Sequence, residues 1–295
     1  MTEAERIAAG SIAVGVAVLA LKSTAWALTG SAALFSDAAE SLVNVAAAAI
    51  ALAALRFAAR PADANHPFGH DKAEFFSAVI EGMLIMLAAV LILDHAWTVF
   101  RHPAPLTTPL LGMALNALST ALNAGWAWVL LSRGRALRST ALRADGKHLI
   151  SDVVTSVGVL VGVGLVVTTG LRWLDPLLAA ATAIYILFAG MHVIGESVGG
   201  LMDAAPASEM IAKVHRVVAE HAAGALEAHD LRMRHAGRLT FLDFHLVVPG
   251  AMTVVDAHTI CDRIESALKR EVAGLMITIH VEPEGKAKHE GVILQ

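Results

Sequence analysis

Residues 35–44 read FSDAAESLVN, a stretch inside a long apolar region that nevertheless carries Asp37, Glu40, Ser41 and Asn44. At about 100° per residue these four fall within roughly 100° of one another on a helix. They form one polar stripe, extended by the small residues Ala33, Ala47 and Ala48. Such a stripe is either a solvated face or a buried site, and the surroundings of the helix decide which.

Those surroundings are apolar. Of 295 residues 56% are hydrophobic and only 16% charged, with a mean hydropathy of +0.64, which no ordinary soluble domain shows. Segments of spanning length fall at roughly 8–28, 33–57, 75–98, 108–131, 149–170 and 174–198, each near the ~20 residues a bilayer requires. The expectation is a membrane all-α fold, a six-helix transmembrane bundle over residues 1–204. The turns TGS (29–31) and GLRW (170–173) are short, so helices one and two, and five and six, form hairpins. The N-terminus lacks a basic region followed by a small-residue cleavage site and reads as a retained helix.

Orientation follows from Lys and Arg near the helix ends. Arg56, Arg60, Lys72, Arg133, Arg135, Arg138, Arg143 and Lys147 lie on one side, against Arg101 and Arg172 on the other. That places both termini in the cytoplasm of a multi-pass plasma (bacterial inner) membrane protein. After about residue 205 charges spread on a helical period, and a cytoplasmic domain over 205–295 begins. HDLRMRHAG (229–237) and LTFLDFHLVVPG (239–250) alternate as strands, TVVDAHTICDRIESALKREV (253–272) is an amphipathic helix, and LMITIHVEP (275–283) is a further strand. With a helix from Ala207, the order is αββαβ, a small α+β (ferredoxin-like) domain.

Net charge is −4, so nothing suggests a nucleic-acid partner, and the single Cys261 excludes an intrachain disulfide or a Cys-rich metal knuckle. Fourteen histidines are many for this length, and imidazole is the commonest metal ligand. An acid at the bilayer centre costs about 2.5–3.5 kcal/mol on insertion scales, so Asp37 and Glu40 call for a cavity or a partner. Helix five offers one: His148 and Asp152 are four apart on one face, followed by Thr155, with Gly158 and Gly162 spaced for close helix approach. A Glu, an Asn, a His and an Asp around a void suit a divalent transition metal. Glu40 and Asp152 supply −2, so a bound M²⁺ leaves the site neutral, and protons compete with the metal for the same ligands.

SDAAESLVN (36–44), PADANHPFGHDKAE (61–74), ADGKHLISDVVTSVGVL (144–160) and the αββαβ tail together resemble the cation diffusion facilitator family over nearly the whole chain. The resemblance implies a homodimeric six-helix transporter in the lipid bilayer that exports Zn²⁺ or a related divalent ion from the cytoplasm in exchange for protons. It places the transport site on Glu40, Asn44, His148 and Asp152, with Asp37 one turn before them as a further ligand or proton relay. Zinc-transporting members more often carry Asp or His, then Asp, where this chain has Glu40 and Asn44. The missing carboxylate weakens the field on the ion and admits Fe²⁺, Mn²⁺ or Co²⁺ alongside Zn²⁺.

The resemblance also implies a loop site at Asp63, His66 and His70, on a turn set by Pro67 and Gly69. A pairing of Lys72 with Asp203 is a further implication. In the tail His229, His245, His280 and Glu282 fall on the family's cytoplasmic metal positions, with His258 as an additional ligand. His280 and Glu282 are two apart and share a strand face. His215, His221, His235 and His289 read as solvated, and Glu81 as lining an inner vestibule. The competing reading is a membrane-bound metal sensor that uses the cytoplasmic sites without transport. An enzyme is not expected, since the chain has no HExxH and no nucleophile elbow.

Overall fold

The computed structural model describes residues 3–136, 140–288 and 292–293. His289 and Arg138, singled out above, lie outside the described residues. Six long helices come first: α1 (Glu3–Thr29), α2 (Ala32–Ala58), α3 (Ala73–Arg101), α4 (Pro109–Ala136), α5 (Thr140–Thr169) and α6 (Leu174–Leu201). Among the described residues five hold stretches long and apolar enough to cross a membrane, namely Gly10–Thr29, Ala32–Ala58, Ala73–Arg101, Asp145–Thr169 and Leu174–Leu201. Helix α4 has the length but not the composition. It buries Asn116, Ser119, Thr120 and Asn123 and ends on Arg133 and Arg135. Its polar stripe is therefore directed at protein, where partners can satisfy it, and this lowers its hydropathy without changing its place in the bundle.

The chain divides into two compact units, Met1–Ala53 with Ser77–Gly195, and Ala54–Phe76 with Glu196–Gln295. The segment joining α2 to α3, with the adjoining ends of α2, α3 and α6, thus belongs to the same unit as the C-terminal domain. In the first unit α4 packs along both α1 and α5. Helices α3 and α6 meet at a pair of glycines: a Cβ at Gly82 would lie 3.0 Å from the Gly190 carbonyl oxygen, and one at Gly190 would lie 3.1 Å from that of Gly82. Around this crossing Ala89, Ile92 and Ala96 pack on Ala179, Ala183 and Ile186. Of the two small residues expected to admit a neighbour on α5, Gly162 faces Leu178 of α6, whereas Gly158 has open space.

The start of α2 is fixed from α6. Asp175, 2% exposed, accepts the N–H of Ala32 at 2.6 Å and of Ala33 at 3.3 Å, together with the Ser31 hydroxyl. These N–H groups have no partner inside the helix, and a buried carboxylate satisfies them. The cap sets where the polar stripe of α2 lies along the bundle.

In the second unit the tail folds as α7 (Ser208–His221), β1 (Glu227–Ala236), β2 (Leu239–Val248), α8 (Val254–Glu271), β3 (Leu275–Pro283) and a two-residue β4 (Val292–Ile293). The expected αββαβ order is present, and β4 adds a fourth strand. Strand order is β3-β2-β1-β4. β1 and β2 form an antiparallel hairpin, while β2 and β3 pair in parallel through the α8 crossover. Leu242, Phe244 and Leu246 of β2 turn toward Val214, Val218, Ile264 and Leu268 of the two helices. Because strand side chains alternate, Phe241, Asp243 and His245 lie on the opposite face. Thr253 caps α8 by accepting the N–H of Asp256 at 3.2 Å.

Candidate metal centres

Helices α2 and α5 meet along the expected faces. Asn44 Nδ2 donates to Asp152 Oδ2 at 3.0 Å, and His148 Nε2 lies 4.0 Å from Asp152 Oδ1. A cavity of about 70 Å³ opens beside them, lined by Asn44, His148 and Asp152 together with Ser11, Ser41, Asn123 and Asp145. Asp152 is buried, whereas the His148 side chain is 52% exposed. The set is open rather than closed: no three His, Asp or Glu ligand atoms here gather within 4.8 Å, as they do at two other places among the described residues. Glu40 is half-buried and close enough to feel the charges of Asp152, Asp37 and Lys22, but it is not among the residues lining the cavity. Glu81 is not among them either.

Asp37, expected as a further ligand or proton relay, is not among the residues lining the cavity and is engaged by other helices. Lys22 of α1, buried in mid-helix, donates from Nζ to Asp37 Oδ1 at 2.7 Å and to Ser156 Oγ at 2.9 Å. Ser156 of α5 donates to the same Asp37 oxygen at 2.9 Å, and Asn116 Nδ2 of α4 donates to the other. Both carboxylate oxygens are thus engaged by α1, α4 and α5. A buried carboxylate held by an ammonium and two further donors is a tie between helices. The stripe on α2 therefore has two functions along its length. Asp37 fastens four helices, and Asn44, two turns on, faces the cavity.

The loop site is assembled. Asp63 Oδ1 accepts the N–H of His66 at 2.8 Å and of Asn65 at 2.9 Å, and lies 3.3 Å from His66 Nδ1. Its other oxygen is 3.5 Å from His70 Nε2, and the two imidazole centroids are 4.4 Å apart. Ligand atoms of all three residues fall within 4.8 Å of one another. The backbone N–H of His66, helped by that of Asn65 and by the His66 ring, holds the Asp63 carboxyl below its ordinary pKa. Gly69, at φ +86°, makes the reversal that returns His70 to Asp63. His70 is buried against Phe57, and its Nδ1 has no hydrogen-bond partner.

The same segment rests on the C-terminal domain. Arg238 Nε donates to buried Asp71 at 2.9 Å, and Phe68 packs edge-on against Phe241 at 5.8 Å. Lys72 donates to Asp203 at 2.8 Å, the pairing expected from sequence, and Arg234 donates to the same oxygen at 3.2 Å.

The tail site occupies the face of the sheet opposite the two helices, in two lanes. Register places His229 opposite His245 and His245 opposite His280, so three imidazoles cross three strands. Two residues along, Glu227 and Glu282 flank Val247 in the same way. Glu282 Oε1 is 3.4 Å from His245 Nδ1 and 3.7 Å from His280 Nε2, and its Oε2 is 3.4 Å from His229 Nε2. Glu227 Oε1 reaches His229 Nδ1 at 3.0 Å. Asp230, at φ +54° in a bulge of β1, joins His229 and His245 within 4.8 Å. His229 is 2% exposed, yet neither of its ring nitrogens makes a hydrogen bond, nor does Nδ1 of His245. Buried imidazole nitrogens without hydrogen bonds beside carboxylates fit a metal ion well.

His258 stands apart. Its side chain is 73% exposed and pairs with Asp262 at 3.6 Å, although it shares a cavity of about 290 Å³ with Glu282. Three histidines read as solvated are half-buried instead. His235 shares a hydrogen bond with Thr240 Oγ1 at 3.0 Å, His221 lies 3.0 Å from the Val217 carbonyl, and His215 lines a cavity with Asp203 and Arg234. Sequence reasoning missed Lys22, Asn116, Asn123, Asp145, Glu227 and Asp230. A lysine inside an apolar helix and a Glu two residues before His229 were the available signals for two of them.

Comparison with known proteins agrees with this layout. The cation efflux transmembrane domain matches residues 8–202, and the cation efflux protein cytoplasmic domain matches residues 206–284. An uncharacterised transporter of Synechocystis sp. is 43% identical over 273 residues, covering 92% of this chain and 88% of its own. The cation-efflux pump FieF of Escherichia coli O127:H6 is 32% identical over 290 residues, 97% of this chain and 95% of its own. Among solved structures, the metal-bound C-terminal domain of the CzcD transporter from Thermotoga maritima is 28% identical with a TM-score of 0.25, covering 27% of this chain and 93% of that domain.

Proposed function

The chain belongs to the cation diffusion facilitator family, and from that premise we propose that it exports a divalent transition-metal cation from the cytoplasm in exchange for protons. It is a multi-pass membrane protein of a metal-cation efflux family, a family of transporters rather than enzymes. The observation that carries the finer reading is the cavity where Asn44, His148 and Asp152 converge between two helices of spanning length. A void of that size holds one ion with little water, and nothing there resembles a substrate cleft.

The chemistry follows from the donors. Asn44 gives its amide N–H to Asp152, which leaves its carbonyl oxygen as the atom it can offer an ion. Asp152 supplies charge and His148 a nitrogen, and each loses its affinity for metal when protonated. Protons arriving from outside displace the ion, and metal arriving from the cytoplasm displaces protons. Glu40, one turn along α2, belongs to the set in a conformation that turns it toward the ion. The donors suit Zn²⁺, and with an amide where a second carboxylate is usual they also accept Fe²⁺, Mn²⁺ and Co²⁺. Both termini lie in the cytoplasm of a bacterial inner membrane in this reading. The chain works as a homodimer, with metal on His229, His245, His280 and Glu282 biasing the paired tails toward one arrangement. Loop metal on Asp63, His66 and His70 would act on the same unit.

The test is uptake of Zn²⁺, Fe²⁺, Mn²⁺ or Co²⁺ into proteoliposomes under an imposed pH gradient. Gradient-driven flux that Asp152→Ala abolishes is expected. Metal binding by the tail without flux of any ion would instead identify a membrane-bound sensor.

A further inference from the structure

The cavity contains a carboxylate that the proposed transport set leaves out. Asp145 lines it together with Asn44, Asn123, His148 and Asp152. Positions 145, 148 and 152 are separated by three and four residues, hence share one stripe of α5. Asp145 is held in place from two other helices. Ser11 Oγ of α1 donates to Asp145 Oδ2 at 2.8 Å, and Trp126 Nε1 of α4 donates to Ser11 Oγ at 2.8 Å. The indole reaches Ser11 by lying over Gly10, where a Cβ would stand 2.8 Å from the ring. The other Asp145 oxygen, Oδ1, has no hydrogen-bond partner among the described residues. A carboxylate anchored through one oxygen on the wall of a small polar cavity is built like a metal ligand with its supporting donors.

We propose that Asp145 is a ligand of the transported cation, forming with His148 and Asp152 the ion's seat on α5 and taking, in this conformation, the place expected of Glu40. The inference rests on the transport reading above and extends it. Asp145 and Asp152 carry −2, so a divalent ion between them leaves the cavity neutral without Glu40. The amide oxygens of Asn44 and Asn123 add neutral donors, which makes the seat rich in oxygen and poor in nitrogen. Such a seat favours Mn²⁺ and Fe²⁺ relative to Zn²⁺ beyond what Asn44 alone would do. Ser11 is a positioning residue, acting on the ion only through Asp145.

The experiment compares the full-length protein with Asp145→Asn in proteoliposomes, measuring KM and kcat for Mn²⁺ and Zn²⁺ separately. The amide still accepts the Ser11 hydroxyl, so the tie between α1 and α5 survives and only charge is lost. The expected result is a KM for Mn²⁺ raised by about tenfold or more, a KM for Zn²⁺ raised by about threefold, and kcat within about twofold. KM values for both ions within about twofold of the parent would overturn the proposal, while loss of flux in Asp152→Ala would still uphold the transport reading. Flux that survives Asp152→Ala would show that the ion does not depend on this cavity, and would remove this inference while leaving transport itself standing; no flux of any ion in the parent would remove both. Should Asp145→Asn fail to fold, Ser11→Ala decides. A rise in the Mn²⁺ KM alone supports the ligand, and equal change or no change for the two ions refutes it.

Discussion

Removing Lys22 should destabilise this protein more than any single substitution on the cavity wall. Lys22 is 2% exposed, Asp37 1%, and the pair is 2.7 Å apart with Ser156 and Asn116 completing the shell of the carboxylate. Lys22→Met keeps the apolar stem and leaves Asp37 buried with two neutral donors and no counter-charge. Breaking a buried pair by removing one partner costs about 3–5 kcal/mol, roughly two to four powers of ten in the folding constant. Replacing both, as Lys22→Met with Asp37→Leu, removes the stranded charge as well and should recover most of that loss, since apolar replacements of whole buried pairs are often neutral or better. Asn116→Ala removes one hydrogen bond to the carboxylate, and Ser156→Ala removes two, one given to Asp37 and one accepted from Lys22, each worth about 1.5–3 kcal/mol. The assay is reversible unfolding in mixed micelles, run as a double-mutant cycle, so that the pairwise term is separated from packing. A cost below about 1 kcal/mol for Lys22→Met, or single costs that simply add in the double variant, would refute a buried ion pair tying the four helices.

In the tail, His245→Ala removes the middle imidazole of the three-strand row and should weaken Zn²⁺ binding by about 100-fold, whereas exposed His258→Ala should change it by less than about threefold; calorimetry on the full chain, with the loop site removed by Asp63→Ala, reads both. Gly82→Ala would place a methyl 2.5 Å from Ile194 and 3.0 Å from the Gly190 carbonyl, and the overpacked α3–α6 crossing should lose about 1–3 kcal/mol in the same unfolding assay. The Lys72 hydrogen bond, then the nearby Arg234, holds the Asp203 carboxyl below its ordinary value of 3.8. A depressed folded value contributes stability that is present above that ordinary value and is lost as pH falls through the folded one. Asp203→Asn should therefore lose that contribution at neutral pH and flatten the acid limb of the stability profile below about pH 4, so that the two profiles converge at low pH.

The sequence located faces well and depths poorly. Helical spacing put Asp37, Glu40 and Asn44 on one side of α2 and His148 and Asp152 on one side of α5, and those sides do meet. It could not say which layer of the contact each residue occupies, because a helical wheel carries no information on the neighbour. Asp37 lies one layer further along α2 than the cavity, where a lysine from α1 claims it. Lys22 was visible as a charge in an apolar helix, but its partner is set by how α1 packs, which is tertiary. Asp145 was hidden by a boundary. The apolar segment of helix five starts only at residue 149, and its polar face reads back to His148 but not the further three residues to Asp145, whereas α5 begins at Thr140 and makes Asp145 the first member of the 145, 148, 152 stripe. The tail was the most legible part. Alternation on strands gave His280 and Glu282 a common face, and cross-strand register, fixed by which face is apolar, brought His229 and His245 beside them.

The two kinds of site differ in geometry in the direction their proposed tasks require. The tail row is dense, with Glu282 within 3.7 Å of three imidazoles and with nitrogens of His229 and His245 buried and not hydrogen-bonded. Such a site gains a great deal when filled, because filling it ends the cost of those nitrogens. The cavity set is sparse. His148 is half out in solvent and 4.0 Å from Asp152, and Asp152 and Asp145 are already satisfied in part by Asn44 and Ser11. An ion entering there trades existing hydrogen bonds for coordination and gains less. Conduction requires binding firm enough to admit the ion and weak enough to release it, whereas a regulatory ion must stay long enough to shift a conformational population. Tightening the cavity should therefore slow export. Asn44→Asp restores a second carboxylate on α2, and it should lower the KM for Zn²⁺ while also lowering kcat, as ground-state binding deepens without matching gain in the transition between the two openings. A lower KM with kcat unchanged or raised would show that release from the cavity does not limit transport.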